Sequence, residues 1–268
     1  MRAVRIVCLV FLVLLGGVCV FPGQVARTGA TRQFRDQPDA APTAQHLLGT
    51  DSLGRDRFAR LVYGTRISLL LAPAAALLST LLAAAIGGCG GYAGGWVERL
   101  VMTGTDLFLS LPWLFLLIMV RAFLPLNVAP EVSVTITFAL LGCLGWAASA
   151  RVVCADVRAI RESEFVLLAR AHGCGGFRLL WRQVLPNLRP ILLAQFWVSV
   201  PVFLLTEANL GVLGLGVAEP LPSWGGLLLE LESFTSLTAE PWLLVPLVLL
   251  MATVVSFQMV LEGREVAR

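Results

Sequence analysis

The chain has 268 residues, 57% of them hydrophobic and 14% charged, with a formal net charge of +3. A soluble domain carries about a quarter charged residues, so this composition excludes an ordinary soluble globule and indicates an all-α polytopic membrane protein. All 20 basic residues are arginine; without lysine the chain has neither a P-loop lysine for nucleotide phosphates nor a Schiff-base amine.

Six stretches reach the roughly 20 apolar residues that a spanning helix needs. They run over 4–21, 67–92, 107–124, 132–150, 188–206 and 242–261. The first follows Met-Arg-Ala-Val-Arg and reads either as an anchor or as a cleaved signal peptide. No small-x-small site follows it, which favours a retained anchor over 1–22. Residues 23–66 then form a loop. Within it Phe58, Leu61, Val62 and Ile67 recur at roughly helical spacing with Arg57, Arg60 and Arg66 between them. That pattern predicts an interfacial helix, a contact with a partner, or both. His46 reads as a solvated loop residue.

Several spans contain proline or glycine: Pro73, Gly87, Gly88, Pro112, Gly142, Pro201 and Pro246. Membrane helices tolerate these, and small residues allow close helix approach. The run "AAAIGGCGG" predicts a second span buried among helices. Asp106 lies near the inner end of the third span, and Arg121 is expected to snorkel to the outer interface. The six cysteines form no CxxC pair, and only His46 and His172 accompany them. They read as small apolar filler, with no zinc site expected.

The stretch from Arg151 to Arg189 holds seven arginines: Arg151, Arg158, Arg161, Arg170, Arg178, Arg182 and Arg189. Burying them in hydrocarbon costs on the order of 20 kcal/mol at about 3 each. The segment therefore lies outside the membrane, and the positive-inside rule makes it cytoplasmic. With six spans, both chain ends, including a tail over 263–268, are then cytoplasmic. One observation opposes this. The loop from Pro22 to Arg66 also holds seven arginines: Arg27, Arg32, Arg35, Arg55, Arg57, Arg60 and Arg66.

Arg161 to His172 is free of interior glycine and proline, and "GCGG" at 173–176 breaks the pattern. In "FRLLWRQVL" Phe177, Leu180, Trp181 and Val184 share one helical face, and Pro186 and Pro190 close the loop. The preceding helix is apolar nearly all round, through Phe165, Val166, Leu167, Leu168, Ala169 and Ala171. Such a helix needs a covering surface. Either a separate partner supplies it, or the loop packs on its own membrane ends.

After the fifth span come Glu207, Gly211, Gly214, Gly216, Pro220, Pro222, Ser223 and Trp224. Glycine allows tight turns and close approach, and proline stiffens the return, so the segment reads as a compact external lip. Acids near a membrane are functional candidates by default. For Glu207 and Asp106 the alternative is structural pairing with an arginine such as Arg121 or Arg66.

The segment "LLARAHG" followed by "VLPN" resembles the cytoplasmic EAA loop of binding-protein-dependent ABC importer permeases. Ala169 and Gly173 match that pattern, Leu168 replaces its first Ala, and Leu167 stands where its Glu is expected. "HLLGTDSLGRDRFARLVYGTRISL" (46–69), "GYAGGWVERLVM" (91–102) and "TEANLGVLGLGVAEPLPSWG" (206–225) are similar to the dipeptide/oligopeptide/nickel subfamily, in particular its C-type permease. The resemblance covers about four-fifths of the chain. It implies a type I ABC importer permease (MetI-like) fold in the bacterial inner membrane. The permease core spans 67–262, with five helices and a coupling loop over 151–187.

The same resemblance implies a non-enzymatic subunit that binds no cofactor, ATP and Mg being used by partner subunits. It assigns coupling to Glu164, Phe165, Leu167, Leu168, Ala169, Arg170, Gly173, Leu185 and Pro186. It places Glu207, Gly211, Gly214, Gly216, Pro222 and Trp224 near the translocation pathway or external lip. The implied partners are a homologous permease as a heterodimer, two cytosolic ATP-binding subunits, an extracytoplasmic solute-binding protein and membrane lipid, with no nucleic acid. Leu167 cannot accept the charge-assisted hydrogen bond open to a carboxylate, so either the ATPase groove is apolar there or coupling is weaker. The alternative is an ion- or proton-driven secondary transporter, which usually carries mid-membrane ionisable groups and inverted repeats; no repeat is evident. A membrane enzyme is disfavoured by the lack of HExxH or GxSxG motifs.

Overall fold

The computed structural model describes residues 2–123, 128–172, 174, 176–232 and 240–265. These are mainly helical, with a long non-helical stretch over 26–56. Among the described residues extended pairing is limited to two isolated antiparallel bridges, Gln33–Arg55 and Thr50–Asp56. In lipid a helix satisfies its own backbone, which is why apolar runs of this length adopt it.

The elements in order are α1 (Arg2–Val20), α2 (Pro22–Val25), α3 (Arg57–Ala93), α4 (Gly95–Ser110), α5 (Trp113–Phe123), α6 (Pro130–Leu144), α7 (Trp146–Arg161), α8 (Glu164–Ala171) and α9 (Gly176–Leu179). A π-helical turn, Leu180–Val184, joins α9 to α10 (Leu185–Val212). Next come α11 (Trp224–Leu228), 3-10 turns at Leu229–Glu232 and Pro241–Leu244, and α12 (Val245–Glu265). Five stretches are long and apolar enough to cross a membrane, and α4 with α5 makes a sixth if that bent pair counts as one.

Four sequence expectations need correcting. The third span, expected as one helix over 107–124, breaks at Leu111–Pro112, and α4 and α5 meet at 85°. Leu111 is extended, as a residue before proline prefers. The amphipathic run at 57–66 is no separate interfacial helix; it forms the first turns of α3, a single helix of 37 residues. At 1.5 Å per residue α3 is about 55 Å long, well beyond a hydrocarbon core of about 30 Å. The stretch 151–161 is not loop but the continuation of α7. Pro186 does not close a loop either. It lies in a continuous helical run, just after the π turn, where the wider winding precedes a residue with no N–H for the ladder.

The chain divides into two compact units, one of Met1–Pro73, Val120–Phe138 and Val200–Arg268, the other of Ala74–Met119 and Ala139–Ser199. In the first, α1 packs along α12, and Ala26, Ala59 and Val62 form a small core with Val18, Phe58 and Tyr63. The N-terminus of α3 is capped by Asp56, whose Oδ1 accepts from the amides of Phe58 (3.0 Å) and Ala59 (3.4 Å). In the second unit α3 and α7 touch backbone to backbone. A Cβ on Gly87 would overlap the Ala150 carbonyl, and one on Gly91 would lie 2.5 Å from the Cys154 carbonyl oxygen. The expected burial of this run is therefore one-sided: Gly88 has open space beside it and Cys89 is exposed. One face of α7 buries Ala147, Ala150, Val153, Cys154 and Val157 at i, i+3, i+4 spacing.

Candidate functional site

The α8 excursion is built by local capping. α7 stops where the Glu162 amide returns to Arg158 and that of Ser163 to Ile160. The Ser163 carbonyl then accepts from Val166 and Leu167 and opens α8. Glu164 sits exposed in the first turn, where a carboxylate complements the helix dipole. At the other end Cys174 N–H returns to the Ala169 carbonyl, and the His172 ring contacts the Leu168 carbonyl at 2.8 Å.

Among the described side chains of α8 only Val166 is fully buried. Phe165 is 44% exposed, Leu167 51% and Leu168 59%. Three large apolar side chains thus stand in the open on a helix far too short to span a bilayer. The predicted apolar circumference is present, and one residue of it is used internally. Ala169 is half-buried. Gly173 and the side chain of Arg170 lie outside the described residues, as do the side chains of Phe177, Leu180 and Trp181. The expected face of the next helix is therefore represented by Val184 alone. Leu179, absent from that pattern, is buried instead. Val184 and Leu188 pack with Val153 and Val157, flanked by Tyr92, Ile160 and Leu192. Leu185 is half-buried and Pro186 exposed.

The segment after α10 is organised differently. Glu207 is wholly buried, and its Oε2 accepts from Ser68 Oγ and the Gly225 amide, both at 3.3 Å. Ser68 Oγ in turn accepts from the Trp224 amide at 3.2 Å, and the Trp224 indole N–H donates to Thr65 Oγ1 at 3.0 Å. Ser223 caps α11 through the Gly226 amide. Gly211 lies so close to the Gly225 backbone that no Cβ fits, and a Cβ on Gly216 would come within 2.8 Å of Gly211 Cα. Gly214 has φ +70°, which suits glycine. Pro222 and Trp224 are buried. Glu207, Gly211, Gly216, Pro222 and Trp224 therefore hold this segment together from inside, and none presents a side chain at its surface.

Of the two acids Asp106 meets an arginine, as the structural alternative expected, and Glu207 does not. Glu207 meets hydroxyl and amide groups, not Arg121 or Arg66. Asp106 pairs with Arg151, and both are half-exposed. Arg121 does not snorkel. It is 2% exposed, donates from Nε to the Leu215 carbonyl (3.1 Å) and from Nη2 to Ser133 Oγ (3.3 Å), and so pins the same segment. Ser133 Oγ also accepts from the Ala218 amide. His46 is not solvated but buried, with its ring edge on Phe34 and Nδ1 3.4 Å from Asp56 Oδ2.

The sequence reading missed Glu219. Its Oε1 accepts from Arg60 Nη2 at 2.7 Å and its Oε2 from Arg55 Nη1 at 2.5 Å. Arg55 Nε also reaches Asp51 Oδ2 at 2.7 Å. Arg57 binds Glu230 and Glu240, each at 3.0 Å. Burial pushes the Glu219 carboxyl up, but the hydrogen bonds and charges of Arg60 and Arg55 outweigh it and hold the group below the ordinary carboxylate range. Glu230 shifts the other way, because its burial outweighs Arg57. The available signal was one of charge balance: an arginine-rich early loop against an acid-bearing late segment. Among the described residues no cluster of three His, Cys, Asp or Glu is placed to hold a metal.

A family model described as "binding-protein-dependent transport system inner membrane component" matches residues 68–262. Dipeptide transport system permease protein DppC of Bacillus subtilis is 33% identical over 226 residues, covering 84% of this chain and 67% of that protein. Oligopeptide transport system permease protein OppC of the same organism is 32% identical over 257 residues, covering 95% and 81%. A putative peptide permease protein of Brucella suis is 36% identical over 204 residues, covering 76% and 66%.

Proposed function

This chain belongs to the family of binding-protein-dependent transport system inner membrane components, and on that premise we propose that it is the membrane-spanning subunit of an ATP-driven importer of di- or oligopeptides or a similar small solute, a nickel chelate included. The observation that carries this reading is α8, with Phe165, Leu167 and Leu168 exposed on a short helix in an arginine-rich stretch. An exposed apolar cluster of this kind marks a protein interface. The partner at α8 is a cytosolic ATP-binding subunit, two copies serving this chain and a homologous permease. The arginine-rich side and both chain ends are then cytoplasmic. An extracytoplasmic binding protein delivers the solute, and the segment from Gly211 to Trp224 forms part of the outer lip. Leu167, in place of a carboxylate, is met by an apolar groove on the ATPase.

The test is capture of ATP-binding subunits encoded beside this chain, in detergent, by the wild type and by a Leu167→Asp, Leu168→Asp double variant. The expected result is specific capture of one ATPase, reduced at least tenfold in the variant. Capture of none by the folded wild type, or equal capture by both, overturns the reading.

A further inference from the structure

Tyr92, the penultimate residue of α3, touches both stems of the α8 excursion. On the incoming stem, the last residue of α7 is Arg161, whose Nη1 donates to the Tyr92 carbonyl at 3.3 Å. The guanidinium lies across Gly94, leaving no room for a Cβ there, and Gly94 has φ +69°. A cation at this place satisfies a carbonyl in the last turn of α3. On the outgoing stem, the Tyr92 phenol donates to the carbonyl of Gly176, the first residue of α9, at 2.8 Å. The Tyr92 ring also rests on the cluster of Val153, Val157, Val184 and Leu188, which joins α7 to α10.

One residue therefore closes the base of the excursion: its carbonyl holds residue 161 and its hydroxyl holds residue 176. Between them one described side chain of α8, Val166, is fully buried. Anything that pulls on α8 loads these two hydrogen bonds, and both end on the last turn of α3.

We propose that Tyr92 is the positioning residue that fixes α8 on its two stems and passes displacement of α8 to the C-terminal end of α3. This rests on the reading of α8 as the ATPase-docking helix. Tyr92 takes no part in docking itself. Its aromatic ring supplies the packing and its hydroxyl the hold, so Tyr92→Phe separates the two. At Arg161 the corresponding pair is Arg161→Gln, which removes the cation, and Arg161→Lys, which restores a cationic donor.

Two measurements test this. In the solubilised chain without any partner, amide hydrogen exchange over residues 164–171 is expected to be at least threefold faster in Tyr92→Phe than in wild type. In proteoliposomes containing the full transporter, uptake of a labelled dipeptide per ATP hydrolysed is expected to fall severalfold in Tyr92→Phe and Arg161→Gln and to recover in part in Arg161→Lys. Capture of the ATPase stays at the wild-type level. Unchanged exchange overturns the clamp. Faster exchange with unchanged uptake per ATP overturns its role in transmission. Failure of the wild type to capture an ATPase sinks the docking reading instead, and the exchange result still decides whether Tyr92 holds the stems.

Discussion

Two stretches of this chain carry seven arginines each; the early one exposes Arg27, Arg32, Arg35 and Arg66 as the later one exposes most of its own, but it treats its other three differently. In the early loop Arg55 and Arg60 are buried, Arg57 is nearly so, and all three are bound to carboxylates. Arg60 and Arg121 are among the largest fully buried side chains described. In the stretch from 151 to 189, Arg151, Arg158, Arg178, Arg182 and Arg189 are exposed. Arg151 and Arg158 do meet acids, but in open pairs. The difference teaches that counting arginines overstates the charge of the early loop. A guanidinium already spent on Glu219 or Glu230 has little left with which to bias topology, whereas the exposed set still carries its charge.

The contrast can be broken most sharply at Arg60. Arg60→Met removes a buried cation from Glu219 and from the flank of Asp51, which keeps Arg55, and breaking a buried ion-pair network of this kind is expected to cost about 2–3 kcal/mol. Thermal unfolding in detergent should show it as a large drop in midpoint. Glu219→Gln is expected to act more gently, by about 1 kcal/mol at neutral pH, because that carboxylate is half-exposed. It also changes the acid limb. The folded pKa of Glu219 lies below the ordinary 4.5. Its contribution is therefore complete above 4.5 and is lost as pH falls from there through the folded value. The wild type should lose stability relative to Glu219→Gln across that window; parallel curves would remove Glu219 from the account. Asp106→Asn, which cuts an exposed pair, is expected to cost no more than about 1 kcal/mol. Arg178→Gln should lie within about 0.5 kcal/mol of wild type, as read from the same unfolding curves.

The helices were legible because lipid demands long apolar runs, and such runs are written in consecutive residues. The exposed face of α8 was legible for a related reason: too many apolar residues on a short, charged excursion require a covering surface. What stayed hidden was the identity of the partners in polar contacts made across the chain. Glu207 and Arg121 carry obvious charge, yet their partners are Ser68, Ser133 and backbone groups that no local pattern marks. Tyr92 stands in a glycine run, and nothing in that run marks Arg161 or Gly176 as its partner. Pro112 was read as ordinary packing when it breaks the third span, since a proline inside an apolar run does not by itself distinguish a kink from a break.

The ion pairs that Arg55, Arg57 and Arg60 make with Glu219, Glu230 and Glu240 are separated by 159 to 183 residues in sequence. A ribosome adding about 5–20 residues per second takes roughly ten to forty seconds to cover that distance. Throughout that interval Arg55, Arg57 and Arg60 exist without Glu219, Glu230 and Glu240. Those three arginines are thus born with only nearby acids such as Asp51 at hand, and gain their distant partners only as the last quarter of the chain emerges. The loop's final form records the end of synthesis, and a chain cut short before Glu219 leaves those arginines open to trypsin.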